Sequence, residues 1–148
     1  MSAIPVYVAS SWRNETQPRV VAALREAGFE VYDFRHPAPG CDGFHWSEID
    51  PKWKEWTPAE FRQGLEHPVA GKGFTQDMAA LCSSGLCVLV LPCGRSAHLE
   101  AGWAAGMGQR LCILLADGEP ELMYRMADHL ALSIEEVVEW VKGDGRRK

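Results

Sequence analysis

The sequence predicts a single α/β domain, residues 1–148, built on a parallel five-stranded sheet with helices on both faces. Short apolar, β-branched runs alternate with helix-patterned segments along the chain, the order that builds a covered parallel sheet. The most organised stretch, Leu86–Gly108, reads LCVLVLPCGRSAHLEAGWAAGMG. It joins an apolar run short enough for a doubly buried strand, a Pro-Cys-Gly break and a helical spacing. Two loops rich in small polar residues, Ser10–Asn14 and Pro92–Ser96, follow the first and third strands. In the flavodoxin-like order 2-1-3-4-5 these loops flank the point where the strand order reverses, and ligands bind outside the carboxyl ends of the strands there.

In chain order, Ile4–Ala9 is the first buried strand and ends in the Ser10–Asn14 loop. Pro18 takes the first turn of a helix with Val20, Val21, Leu24 and Ala27 on one face, and Gly28 ends it. Glu30–Phe34 is the second strand, and a loop with two prolines and two glycines covers Arg35–Ser47. The irregular stretch that follows holds Trp46, Trp53 and Trp56, a set suited equally to an aromatic lid, a packed mini-core or a contact between copies. Thr57-Pro58-Ala59-Glu60 is a capping box opening a helix to about His67. Pro68 separates it from a further helix over roughly Phe74–Ser83, whose inner face should include Phe74, Met78, Leu81 and Cys82. The third strand, Leu86–Leu91, leads to a helix that Ser96 caps and Gly108 closes. Leu111–Ala116 is the fourth strand, Pro120–Ala127 a short helix and His129–Leu132 a short fifth strand. Ser133-Ile134-Glu135-Glu136 is a second capping box, opening an amphipathic helix to about Val141.

Composition bounds the function. With 148 residues, 47% apolar and 24% charged, the chain is long enough to bury a core and ordinary enough for a soluble protein. A net charge of −5 argues against sequence-independent binding of a nucleic-acid polymer, which needs a basic face. The one basic cluster, Arg146-Arg147-Lys148, reads as a solvated tail. No charged-then-apolar leader opens the sequence and no apolar run is long enough to span a bilayer, so a cytoplasmic protein without a membrane partner is expected. The five cysteines (Cys41, Cys82, Cys87, Cys93, Cys112) are odd in number and lack CxxC spacing, which points to reduced thiols and no metal site. Cys93 is the one thiol placed for reactivity.

Chemistry concentrates at the turn after the third strand, where Gly94, Arg95, Ser96, His98 and Glu100 cluster. A helix start carries partial positive charge and favours anions. Glu100 follows Ser96 by one turn, so it should stay ionised and face the loop crevice, with Ala101 and Gly102 leaving the backbone beside it uncrowded. A first-turn carboxylate also simply complements the helix dipole, and spacing alone leaves both readings open. Trp12 on the first loop, and Trp103 three residues beyond Glu100, flank the crevice and are candidates for stacking a flat ligand. His98 is a candidate donor to a sugar or phosphate oxygen, with simple exposure as the alternative.

Tyr7-Val8-Ala9 at the end of the first strand, Asp77 on a helix before the third, and the run Gly94-Arg95-Ser96-Ala97-His98-Leu99-Glu100-Ala101-Gly102 together resemble the nucleoside 2-deoxyribosyltransferase-like family. The likeness runs from the first strand to the fourth, and its most specific part is the Glu-Ala-Gly stretch. It implies a flavodoxin-like, Rossmannoid sheet and an enzyme acting on a nucleoside or nucleotide without a cofactor. The glutamate matching Glu100 would be the nucleophile, attacking the anomeric carbon to form a glycosyl-enzyme ester that a second base or water resolves. Tyr7 would orient that nucleophile, and Asp77 would contact or protonate the base. The resemblance further implies a homo-oligomer, since free-nucleoside members complete the site with a neighbour's C-terminus, an arrangement the Lys142–Lys148 segment does not resemble.

One position departs from the free-nucleoside members: they carry an aspartate six residues before the nucleophile, where this chain has Gly94. Members that cleave nucleoside 5'-monophosphates hold the phosphate with serines and an arginine. Ser10, Ser11, Arg13, Arg95 and Ser96 can form such a cradle. The alternative is that Ser96 only caps its helix and the arginines are surface residues. Transfer between nucleosides and hydrolysis of a monophosphate therefore both stand as expectations. An NAD glycohydrolase and a non-catalytic nucleotide sensor are the further alternatives.

Overall fold

The structure, a computed structural model, describes residues 4–145, so the basic tail Arg146-Arg147-Lys148 lies outside the described residues. The chain forms two compact units. The first combines the chain up to Asp33 with the chain from Leu81 onward, and the second is Phe34–Ala80.

The first unit holds a five-stranded sheet in the order β2-β1-β3-β4-β5, every pair parallel. The strands are β1 Val6–Ala9, β2 Val31–Asp33, β3 Leu86–Val90, β4 Arg110–Leu114 and β5 His129–Ala131. This is the expected order, with each strand a residue or more shorter than the apolar runs suggested. Because successive side chains point to opposite faces, the strand residues divide into two sets. Val6, Val8, Leu86, Val88, Val90, Cys112 and Leu114 pack with Val20, Val21 and Leu24 of α1 (Gln17–Glu26) and Val137 and Val141 of α5 (Ile134–Gly145). Burying each such aliphatic side chain is worth about 1.5–3 kcal/mol. The opposite face carries Tyr7 and Cys87, paired in register, and is covered by α4 (Arg95–Gly106), which packs on β1, β3 and β4.

Both helices that flank the candidate loops end on a left-handed glycine one residue past the cap: Gly28 at φ +95° after α1 and Gly108 at φ +81° after α4. Side chains with a Cβ resist that conformation, so these two glycines act as helix stops. Ser133 accepts the Glu136 N–H at 3.1 Å as a cap should, while Glu136 reaches back to the Leu132 N–H at 3.2 Å.

Four local expectations are corrected. Ser96 does not cap α4: Gly94 takes the extended cap conformation and Ser96 is the second helical residue. The expected helix over Pro120–Ala127 is a 3₁₀ turn, Leu122–Met126. The helix expected from Phe74 begins six residues earlier, as α3 (Pro68–Ser83). Proline suits a first helical position, and the His67 ring accepts the Val69 N–H at 3.1 Å, satisfying a free donor of that first turn. Along α3, Leu81 is fully buried and Met78 half-buried, but Phe74 is 69% exposed and Cys82 is exposed, so the apolar spacing overstated its inner face.

In the second unit, α2 (Pro58–Leu65) starts at the expected capping box: Thr57 Oγ1 accepts the Glu60 N–H at 3.3 Å, and Glu60 Oε1 accepts the Thr57 N–H at 3.0 Å. Here the tryptophan stretch folds as a small aromatic core. Trp46 meets Phe44, Trp56 and Phe61 edge-on, with ring centroids 4.7, 5.7 and 5.8 Å away. Trp56 donates its indole N–H to Asp50 at 2.8 Å and lies so close to Gly64 that an added Cβ would sit 2.6 Å from the ring. Trp53 stands outside this cluster, beneath the Lys54 ammonium.

Candidate active site

Glu100 is the sixth residue of α4, and no acidic residue occupies the helix's first turn. Dipole complementation fades beyond that turn, so it does not account for this carboxylate. What meets it is Tyr7: the phenol hydroxyl, on a side chain 1% exposed, donates to Glu100 Oε2. Tyr7 is itself held by stacking on Tyr32, centroids 5.2 Å apart and planes 16° from parallel. The approach of α4 that permits this contact is set by alanines. Ala97, Ala101 and Ala104, spaced i, i+4 and i+7, are the buried face of the helix, and their short side chains let its backbone lie close to the sheet. Ala101 is thus a packing residue and does not face a ligand, whereas Gly102 borders open space.

Two thiols lie close enough to the carboxylate to feel it. Cys87, on β3 beside Tyr7, is pushed well above the ordinary thiol range by burial and by the nearby Glu100. Cys93, in the loop before α4, is pushed up to about 11 by the same two causes in the same order. A thiol held protonated at neutral pH is a poor nucleophile, so Cys93 does not supply one.

The two crevice loops are joined through Asn14, 4% exposed. Its Oδ1 accepts the Thr16 and Gln17 N–H groups at 2.7 and 2.8 Å, opening α1. Its Nδ2 donates to the carbonyls of Val90 and Pro92 at 3.3 and 2.9 Å, at the end of β3 and in the loop beyond it. Ser10, expected to bind substrate, is 8% exposed and donates its hydroxyl proton to the same Val90 carbonyl at 2.8 Å. That proton is not available to an anion, and Ser10 acts as a strut. The residues whose side chains remain toward solvent are Trp12, 42% exposed, Arg13, Arg95 and Ser96, with Ser11 and Trp103 half-buried.

His98 braces the loop to the 3₁₀ turn. Its Nδ1 lies 2.7 Å from the Gly94 carbonyl, which can only accept, so Nδ1 carries the proton and Nε2 accepts from the Tyr124 hydroxyl at 2.8 Å. The two rings stack at 5.8 Å. Both ring nitrogens are engaged, and the expected donation from His98 to a sugar or phosphate gives way to a structural role. Burial, then the neighbouring Cys93 and Glu121, raise the Tyr124 phenol. Asp77 lies half-buried on α3 in the second unit.

Asn14 and Tyr124 were not singled out from the sequence. The Asn-Glu-Thr-Gln-Pro run carries half of the Asn14 signal, since an asparagine before a helix commonly accepts its first N–H groups. The other half, bonds to carbonyls 76 and 78 residues away, has no local signature.

Among the described residues no helix is long and apolar enough to cross a membrane. No protein-family model and no curated protein matches the sequence. Solved structures match its fold. A 2-deoxyribosyltransferase from Bacillus psychrosaccharolyticus, 17% identical, aligns over 90% of each chain with a TM-score of 0.56. The Clostridium botulinum CMP N-glycosidase BcmB, also 17% identical, aligns over 95% of this chain and 98% of its own, with a TM-score of 0.51. A conserved protein from Enterococcus faecalis, 15% identical, covers 97% of this chain and 99% of its own, with a TM-score of 0.55.

Proposed function

We propose that this chain is an enzyme that breaks the N-glycosidic bond of a nucleoside or deoxynucleoside, with Glu100 as the nucleophile. The observation that carries the reading is the Tyr7–Glu100 hydrogen bond, which joins β1 to α4. A carboxylate fixed on a rigid helix and oriented by a buried phenol suits attack on a carbon with oxocarbenium character. The ester bond forms between Glu100 and the anomeric carbon as the bond to the base breaks, and the base leaves with a proton. A second base or water then attacks the same carbon and returns Glu100 to its carboxylate. The same fold in a 2-deoxyribosyltransferase and a CMP N-glycosidase supports this class of chemistry. Asp77 is the candidate donor of the proton to the departing base, an assignment that rests on the family resemblance. Substitution Asp77→Asn should then slow poor leaving groups far more than activated ones.

A nucleoside 5'-monophosphate as substrate is the second reading, favoured by Arg95. A basic side chain on the first residue of a helix opposes the helix dipole, and an anion beside Arg95 and Ser96 would relieve both. Arg13 and Ser11 on the facing loop extend that cradle, while Ser10 supports it from beneath. Exposed Leu99 on α4 and Met107 just past its end, with Leu122, Met123 and Met126 of the 3₁₀ turn, support assembly with a second copy. Light scattering on the purified protein tests that assembly.

The deciding assay is chromatographic base release from nucleosides, 2'-deoxynucleosides, their 5'-monophosphates and NAD, each with and without a second free base. Base exchange from free deoxynucleosides identifies a transferase, and release confined to monophosphates without exchange identifies a hydrolase. Activity that survives Glu100→Ala rejects the nucleophile. Binding without turnover across the panel indicates a sensor.

A further inference from the structure

We infer that Asn14 is a positioning residue for Glu100, acting through the loop that leads into α4. The inference rests on the proposed role of Glu100, and its structural arm can be decided without it. A carboxamide offers two donors and two acceptor sites, and Asn14 fills all four. Oδ1 takes the Thr16 and Gln17 N–H groups, and Nδ2 gives one hydrogen each to the Val90 and Pro92 carbonyls. Its backbone N–H closes the turn onto the Ser11 carbonyl at 3.1 Å. One buried side chain therefore fixes the loop after β1, the start of α1 and the exit of β3 together.

That exit decides where α4 begins. Pro92 is two residues before Gly94, the cap of α4, and Glu100 is six residues beyond that cap. Tyr7 sits on β1, three residues before the strut Ser10. The tyrosine and the carboxylate thus approach from the two segments that Asn14 ties together. With Ser10 and Asn14 both donating to the Val90 carbonyl, the two segments share an anchor whose geometry sets the separation of the Tyr7 hydroxyl from Glu100.

Substitution Asn14→Asp divides the clasp. One carboxylate oxygen keeps the Thr16 and Gln17 N–H groups, so the opening of α1 is preserved. The other, in place of the amide nitrogen, faces two carbonyl oxygens and repels them. Crystal structures of wild type and N14D should show the Pro92–Gly94 loop and the first turn of α4 displaced, with the Tyr7–Glu100 hydrogen bond lost. In base-release kinetics N14D should lower kcat by about 10- to 100-fold, the scale of an ångström-level misplacement, with KM changed by less than about threefold. Ser10→Ala, which removes one bond to the same carbonyl, should lower kcat in the same direction and by less. It serves as the measured variant if N14D does not fold. A thermal melt accompanies each, because a merely structural residue would lower the melting temperature and leave kcat of the folded fraction intact. An unchanged Tyr7–Glu100 contact in N14D, or an unchanged kcat in a folded variant, overturns the inference. Wild-type protein that releases no base, beside a displaced α4 in N14D, rejects the role of Glu100 and upholds the clasp.

Discussion

A phenol hydroxyl on a side chain that is almost fully enclosed needs a partner, and Tyr7 finds it in the one carboxylate α4 brings to the sheet. Replacing Tyr7 by Phe keeps the ring stacked on Tyr32 and deletes that bond. A hydrogen bond to a charged group is worth about 1.5–3 kcal/mol, so kcat should fall by roughly 10- to 100-fold, read in the base-release assay. The melting temperature should move by only a few degrees. The thiols make a separate prediction. With its pKa near 11, Cys93 is protonated at pH 8, and alkylation there should label the exposed Cys82 well before it, as read by peptide mass spectrometry. Raising the pH toward 11 should bring Cys93 into reaction, because deprotonation then succeeds against burial and the Glu100 charge.

Helix α4 is the element whose packing turns sequence into a site. Its alanine face at residues 97, 101 and 104 admits little added volume. Ala101→Leu should destabilise the fold by about 1–3 kcal/mol through overpacking. It should also reduce activity beyond the loss of folded protein, because the helix that carries Glu100 must lift from the sheet. In the second unit, Gly64→Ala should cost a similar amount, since its Cβ meets the Trp56 ring, and tryptophan fluorescence would report the disturbance. What the sequence made legible were the features with a local signature. The apolar runs showed the strands, Thr57 and Glu60 the capping box, and the run around Glu-Ala-Gly the helix after the third strand that carries Glu100. Ser96 misled because a serine before helical spacing resembles a cap, while Gly94 takes the extended cap position two residues earlier. His98 and Asn14 were misjudged or missed because their partners, Tyr124 and the Val90 and Pro92 carbonyls, lie 26 to 78 residues away in sequence. Exposed Phe74 and Cys82 show the same limit, since periodicity describes a helix face and not what covers it.

At the scale of the molecule, the strand order 2-1-3-4-5 brings the ends of β1 and β3 side by side, and the site follows from that adjacency. The amino end of the sheet is closed by charge. Arg110, at the start of β4, lies 3.2 Å from Asp144 near the end of α5 and 3.8 Å from Asp128. Asp144 is 7% exposed, so Asp144→Ala should destabilise the protein by about 1–3 kcal/mol in a denaturant titration, with no change in KM. The central claim is covalent: Glu100 carries the glycosyl group between the departure of one base and the arrival of its acceptor. The most direct test is intact-protein mass spectrometry after rapid acid quench of wild type with a turned-over substrate, followed by peptide mapping. The account predicts a mass increase equal to the glycosyl fragment, located on the peptide containing Glu100 and missing from Glu100→Gln. Base release without any adduct on that peptide, or an adduct on another residue, would contradict it.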